Sequence, residues 1–344
     1  MTQVERASAA ATGYDDYLLR RRGSLVYQSS KYRQLLVELL GCEDHTLVLS
    51  EAGVIRGVLP LMCAEDERGK VYNSLPYYGS NGGVLADDEE TGQKLVATYN
   101  ELAVAEDTAA ATVVANPFVE QSPYELAHNL EDERIAQFTE LSPEDADEEA
   151  ILARIDGSAR RNVAKARKSG IAVRIANEQL EELHRLHEEN MQAIGGLPKS
   201  KRFFDLLPTV FTPGKDFNLY VADRDGEIAA ALLVLYFNRT AEYFTPAIDH
   251  LSRSLQPLSL ILLQALADAA RDGYQIWNWG GTWSSQVGVY RFKRKWAARE
   301  EGYFYYTQLN DRSLLELSPA DILARYPSFF VVPFSALARA EALS

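Results

Sequence analysis

The chain predicts an α+β fold laid out twice, and three observations carry that reading. Its 344 residues suit two domains of roughly 100 to 200 residues each better than one. A strand, a glycine-containing turn and a longer apolar strand occur at 46–50 and 54–62, joined through Glu51, Ala52 and Gly53. The same pattern returns at 217–223 and 227–237, joined through Arg224, Asp225 and Gly226. After each hairpin the order strand, long helix, strand repeats, at 72–75, 88–106 and 111–115 and then at 240–245, 257–273 and 275–279.

In chain order, residues 1–13 are small and polar and are expected to form a disordered tail. Helical spacing begins at 14–22 and continues at 30–40, where Tyr32, Leu35, Leu36, Leu39 and Leu40 repeat on one face and Gly41 supplies a C-cap. The first domain is expected to span 14–142. The acidic stretch after Ser142 and Pro143 reads as the N-terminus of the next helix and as the start of a second domain, 143–311. Residues 312–344, with the apolar run 329–334, are expected to pack back on the first domain.

Hydrophobic residues make up 47% and charged residues 24% of the chain, the balance of a globular protein with sizeable cores. The most apolar window, 255–270, is interrupted by Gln256, Pro257, Gln264 and Asp268, short of the ~18 to 20 residues a membrane helix needs. No integral membrane segment is therefore expected. Two cysteines, Cys42 and Cys63, are too few for a secreted disulfide framework, and a cytoplasmic location is the expectation. The net charge of −14 repels phosphates, so DNA is not an expected partner. That charge is patterned. Acids gather at 131–133 and 144–149, and a basic run follows directly.

The basic run is 157–170, where Arg160, Arg161, Lys165, Arg167 and Lys168 fall within one helix-compatible stretch and Arg161, Lys165 and Lys168 share a face. Such a face can hold a diphosphate or an RNA backbone through charge-assisted hydrogen bonds, or simply balance the acids before it. A second constellation is the strand and Gly-Gly loop 274–285, with Asn278, Gly280 and Gly281 among three tryptophans. Strand alternation is expected to turn one of Trp277 and Trp279 inward. The loop leads to Phe292 and Lys293, a lysine between apolar neighbours that can stabilise an oxyanion or bind phosphate. In the first half, Tyr77 and Tyr78 lie in a Pro, Tyr and Gly loop of the kind that lines clefts, although turns explain its glycines equally well. His184 and His187 read as an exposed helix face, and no metal site is assigned. Walker, G-x-S-x-G and strand-linked G-x-G-x-x-G motifs are missing, which sets aside ATPase, hydrolase and dehydrogenase readings.

In their order, the Gly-Val-Leu-Pro-Leu of 57–61, Ser74-Leu-Pro-Tyr77, the helix from Arg160 to Gly170, the segment 257–273 and the run from Gly288 to Lys293 resemble the FemABX-like branch of the GNAT superfamily, over most of the chain. That branch holds the aminoacyltransferases of peptidoglycan bridges and related acetyltransferase-domain proteins. The resemblance implies two tandem GNAT-like domains, each a mixed sheet flanked by helices. It implies transfer of an acyl or aminoacyl group to an amine of a cell-envelope, amino-sugar or peptide precursor, with chemistry in the second half and working roles for Lys293 and Arg161. The donor is expected to be aminoacyl-tRNA, held through the local basic patch, or acyl-CoA, with no tightly bound cofactor. A GNAT loop for the CoA pyrophosphate reads R/Q-x-x-G-x-G/A; here 252–259 carry no glycine, which tilts the donor away from CoA. Asn278 stands where the family's strand usually has Asp. Tyr243 as hydroxyl donor and Asp249 as amine-orienting carboxylate complete the nominated site. Two other readings remain: an acyl-CoA-dependent N-acetyltransferase of a small metabolite, and a non-catalytic module that binds a nucleotide sugar or glycan.

Overall fold

A computed structural model of the chain describes residues 3–6, 13–77, 82–119, 124–283, 286–333 and 336–337. The chain divides into two units, Met1–Ile135 with Gly302–Ser344, and Ala136–Glu301.

Unit 1 opens with strand β1 (Gln3–Arg6), which pairs antiparallel with β3; a stretch expected as tail is thus ordered by backbone pairing. Helices α1 (Tyr14–Arg20) and α2 (Ser30–Leu40) follow, and Gly41 ends α2 in the left-handed conformation expected of it. Strands β2 (Glu43–Asp44), β3 (Leu47–Glu51) and β4 (Val54–Leu59) come next. Ala52 and Gly53 both have positive φ, which is the requirement of a type I′ hairpin turn. The long strand expected at 54–62 is in fact two, because Pro60 has no N–H for a ladder; β5 (Met62–Asp66) joins a different sheet. Then come β6 (Gly69–Asn73), β7 (Leu85–Ala86), α3 (Glu89–Ala103), β8 (Thr108–Val114) and β9 (Leu130–Glu140), the last carrying the chain into unit 2. In sequence β9 is masked by its acids, yet Asp132 pairs with Arg134 along the strand.

Unit 2 contains α4 (Glu148–Arg154), α5 (Gly157–Lys168), β10 (Ala172–Ile175), α6 (Leu180–Ala193) and α7 (Lys201–Val210). Strands β11 (Phe217–Arg224) and β12 (Glu227–Phe237) form the second hairpin, with positive φ at Asp225 and Gly226. Then follow β13 (Thr240–Ile248), α8 (Pro257–Arg271), β14 (Ile276–Thr282) and α9 (Val287–Arg294). Strand β15 (Arg299–Leu309) returns the chain to unit 1, where α10 (Pro319–Arg325) lies. In that closing stretch Asn73 exchanges two hydrogen bonds with the backbone of Phe330, and Tyr326 and Arg325 hold Asp66.

The strand order in unit 1 is β15-β8-β6-β5-β2, parallel only between β8 and β6, with a smaller sheet β1-β3-β4-β7. In unit 2 it is β10-β11-β12-β13-β14-β9, parallel between β13 and β14. Helix α8 is apolar on nearly all sides and runs through the core of unit 2, covered by Ala159, Val163 and Ala166 of α5. This packing leaves the basic side chains of α5 on its outer face, where Arg160, Arg161, Lys165 and Lys168 are exposed.

Candidate active site

The parallel ladder of unit 2 is short. Thr240, Ala241 and Glu242 pair with Ile276, Trp277 and Asn278, while β13 runs on to Ile248 and β14 to Thr282 without further pairing to each other. Beyond the last pair stand Tyr243 and Trp279, whose rings lie 5.1 Å apart. Trp277 and Trp279 are both buried in the same core; two residues apart in a strand, they share a face, so the expected division between them is corrected. Trp279 donates its indole N–H to Thr139 Oγ1 at 2.9 Å, and Thr139 in turn donates to the carbonyl of Trp296. The aromatic wall is therefore fixed by hydrogen bonds as well as by packing.

At the end of β14 the chain turns on Gly280, whose φ is 74° and whose N–H donates to Asn278 Oδ1 at 2.9 Å. Asn278 thus shapes the turn with its amide side chain. The carbonyls of Gly280 and Gly281 face α9, where Lys293 Nζ donates to them at 3.3 and 3.2 Å and to Thr282 Oγ1 at 2.7 Å. An ammonium has three N–H donors, and these three acceptors match them. The Thr282 hydroxyl donates to Gln137 Oε1 at 3.1 Å, and Gln137 Nε2 donates to the carbonyl of Tyr290. Lys293 is 4% exposed, and burial pushes its ammonium down to about 8. Its partners are neutral oxygens, so its charge is held in place without being cancelled.

Other nominated residues separate into those at this point and those elsewhere. Phe292 is half-buried and stands edge-on to Trp279. Burial raises the Tyr243 hydroxyl well above its usual range, which keeps its proton on. Asp249 is occupied as a turn anchor: its Oδ2 accepts the Ser252 N–H at 2.9 Å, and these hydrogen bonds hold its carboxyl below the usual range against the opposing effect of burial. Arg160 donates to the carbonyls of Leu152 and Ile155 at the end of α4, so it is a helix cap. Arg161 and Lys165 stay exposed on α5, whose first turn is tied to the end of α9 by the Asp156 N–H donating to the Lys295 carbonyl at 2.8 Å. The backbone N–H of Gly280 is taken by Asn278 and is not open to a ligand.

Tyr77 belongs to the core of unit 1, where its N–H donates to the Ser328 carbonyl and its own carbonyl accepts from Tyr32. Tyr78 lies outside the described residues. His187, read as exposed, is buried: its Nε2 accepts the backbone N–H of Lys199, and burial lowers its imidazolium to about 4. Sequence reasoning missed Gln137, Thr139 and Thr282, which no motif marks. Unit 1 has a concavity of its own, about 1200 Å³, lined among others by Arg20, Arg22, Glu89, Phe118, Tyr124 and Tyr306. Among the described residues no group of acids, histidines and cysteines is placed to hold a metal, and no helix is long and apolar enough to cross a membrane.

The loop from Ser252 to α8 is equally informative. Gln256 takes the left-handed conformation, φ 65°, directly before Pro257. A side chain therefore occupies a backbone shape that favours glycine, the first helical residue has no N–H, and the Ser259 N–H is spent on the Gln256 carbonyl. A phosphate at this helix end would find few free donors.

Residues 154–294 match the acetyltransferase (GNAT) domain family. Among solved structures, FemX is similar at a TM-score of 0.71 and 14% identity, over 91% of this chain and 99% of that one. The C-terminal domain of a putative lysylphosphatidylglycerol synthetase from Agrobacterium fabrum is similar at 0.57 and 13%, over 94% and 99%. A tandem GNAT protein from the clavulanic acid biosynthesis pathway gives 0.54 and 13%, over 89% and 98%. None of the curated proteins compared with it matches the chain in sequence. The fold is the double GNAT fold, and the resemblance to the FemABX-like branch holds at the level of fold.

Proposed function

From a chain whose residues 154–294 match the GNAT acetyltransferase domain within a double GNAT fold, we propose an acyltransferase that moves an aminoacyl group onto an amine of a cell-envelope, amino-sugar or peptide precursor, with its chemistry in unit 2. The observation that carries this is Lys293, a buried cation held on the carbonyls and hydroxyl of residues 280–282, just past the point where β13 and β14 stop pairing. A fixed positive charge in a water-poor site is suited to the oxyanion of acyl transfer, where removing one such contribution costs on the order of 10²- to 10³-fold in rate.

The reaction is direct. The acceptor nitrogen attacks the ester carbonyl, the C–N bond forms, and the C–O bond to the carrier breaks. The departing oxygen takes a proton while the amine gives one up, and Tyr243, kept protonated by burial, is the candidate donor. Because the three donors of Lys293 are already directed at protein oxygens, it acts through its field, and it also fixes the Gly280 turn. Aminoacyl-tRNA is the donor we favour over acyl-CoA, since the turn before α8 offers so few free N–H groups, and Arg161, Lys165 and Lys168 on α5 give an RNA backbone a local place to bind.

The test compares charged tRNA with acetyl-CoA, each with UDP-linked precursors, by thermal shift and by transfer of a labelled group. A ligand at about 100 times its Kd adds ~2.7 kcal/mol to stability. Stabilisation and transfer with charged tRNA support the reading. Stabilisation by acetyl-CoA alone replaces it with an N-acetyltransferase, and turnover that survives Lys293→Ala removes the assigned role of that residue.

A further inference from the structure

Eleven large apolar side chains are exposed among the described residues, and six of them, Ile194, Leu197, Leu251, Trp283, Val287 and Val289, gather at one end of unit 2. The topology puts them there. Strands β13 and β14 are parallel, so both leave the sheet at the same end. Leu251 follows the exit of β13, while Trp283, Val287 and Val289 follow that of β14. Ile194 and Leu197 come just after α6, whose Asn190 grips Ile248 at the end of β13 through both its backbone N–H and its carbonyl, at 3.1 and 2.7 Å. On α9, Val289 lies on the same flank as Lys293 yet remains 45% exposed.

Two of the three segments that carry these side chains are basic. Residues 194–202 hold Lys199, Lys201 and Arg202, and residues 283–295 hold Arg291, Lys293, Arg294 and Lys295; neither segment has an Asp or Glu, in a chain of net charge −14. Lys199 and Lys293 are buried, Lys201 pairs with Asp205, and Arg294 pairs with Glu300; Arg291 and Arg202, the latter with a partner of its own, are exposed. Single exposed apolar residues are ordinary, whereas six at one end with a basic rim mark an interaction surface. A second copy of the chain would bring the same positive rim against this one, a like-charge contact. An anionic bilayer supplies both an apolar layer and the opposite charge.

We propose that this end of unit 2 seats on an anionic membrane surface, with the six apolar side chains entering the boundary between headgroups and acyl chains and the basic rim meeting lipid phosphates. The proposal goes beyond the transfer reaction and does not depend on it, because binding is measured without turnover. The full chain is mixed with vesicles of phosphatidylcholine alone or of phosphatidylcholine with phosphatidylglycerol. Binding is read by co-sedimentation and by acrylamide quenching; Trp277, Trp279 and Trp296 are buried, so the quenchable emission belongs to Trp283. Expected are binding at least about tenfold tighter to anionic vesicles, weakened by salt, and protection of Trp283. A chain carrying Ile194→Ser and Leu251→Ser, with an unchanged melting temperature, should bind about tenfold or more weakly. Absence of binding to both vesicles, equal binding to both, or protection of Trp283 by self-association without lipid would each overturn the proposal.

Discussion

The two units are built alike up to the start of one helix and then diverge. Each has a hairpin turning on two positive-φ residues, Ala52 and Gly53 in one and Asp225 and Gly226 in the other, and each has a short parallel ladder, β6 with β8 and β13 with β14. In unit 1 the next helix, α3, is capped by Asp88, whose Oδ1 accepts the Thr91 N–H at 2.8 Å, with Glu89 and Glu90 in the first turn. Unit 2 starts α8 at Gln256 and Pro257, with neither a side-chain cap nor an acid. The buried cations differ as well. Arg33 and Arg134 of unit 1 pair with Asp44 and Asp132, while Lys293 of unit 2 rests on neutral oxygens. A paired charge is neutralised and serves structure. One held on carbonyls keeps its field for something that arrives later.

The largest effect should come from the wall behind that charge. Trp279→Ala removes a ring packed against Tyr243, Phe292 and Trp296 together with its hydrogen bond to Thr139, and should cost about 3 to 5 kcal/mol in urea unfolding. A loss under about 1 kcal/mol would mean that the tryptophan cluster is not the centre of unit 2. Lys293→Ala comes next, with a fall of about 10²- to 10³-fold in kcat, read on the substrate pair found by thermal shift. The matching change in unit 1, Arg33→Ala, should lower stability and leave kcat of the folded fraction unchanged. If Arg33→Ala acts on kcat as Lys293→Ala does, the contrast between paired and unpaired cations fails.

pH sharpens the same contrast. The Lys293 ammonium titrates near 8 in the folded chain, below the usual 10.5. If the ammonium is the working form, kcat falls as pH rises through about 8; a rise through 8 would make the neutral amine a base instead. The stability sign is opposite. Between about 8 and 10.5 the unfolded chain binds the extra proton and the folded one does not, so this group makes stability increase with pH across that window. Lys293→Met should flatten that slope.

Much of the layout was legible because it is local. The turns at 51–53 and 224–226, the apolar run of α8 and the glycine capping α2 each announce themselves by residue type within a few positions. What stayed hidden depends on distant partners. The acids of β9 look like a solvated run until Arg134 pairs with Asp132, and His187 looks exposed until the Lys199 backbone reaches it. Lys293 stood out as a cation among apolar neighbours, yet Gln137 and Thr139, which hold the turn and the tryptophan wall from 140 or more positions away, carry no sign of it in sequence. The misreading of Trp277 and Trp279 was of another kind, since residues two apart in a strand share a face from the start.

The smallest predicted effects lie at the helix starts where the units part. Asp88→Ala removes the cap of α3 and should lower the melting temperature by a few degrees. Hydrogen bonds from Thr91 hold the Asp88 carboxyl below its usual range, so the stability it gives is present above the unfolded pKa and is lost as pH falls through the folded one; the gap between wild type and Asp88→Ala should close in acid. Gln256→Gly in unit 2 runs the other way. It relieves a left-handed backbone at a residue with a side chain while adding chain entropy to the unfolded state, so melting should shift little, by less than the cap mutant. The same change also clears a Cβ from the turn before α8. If the absence of glycine is what disfavours CoA, Gln256→Gly should raise affinity for acetyl-CoA measurably by calorimetry. An unchanged affinity would move the cause to Pro257 and the occupied Ser259 N–H, which the substitution leaves in place.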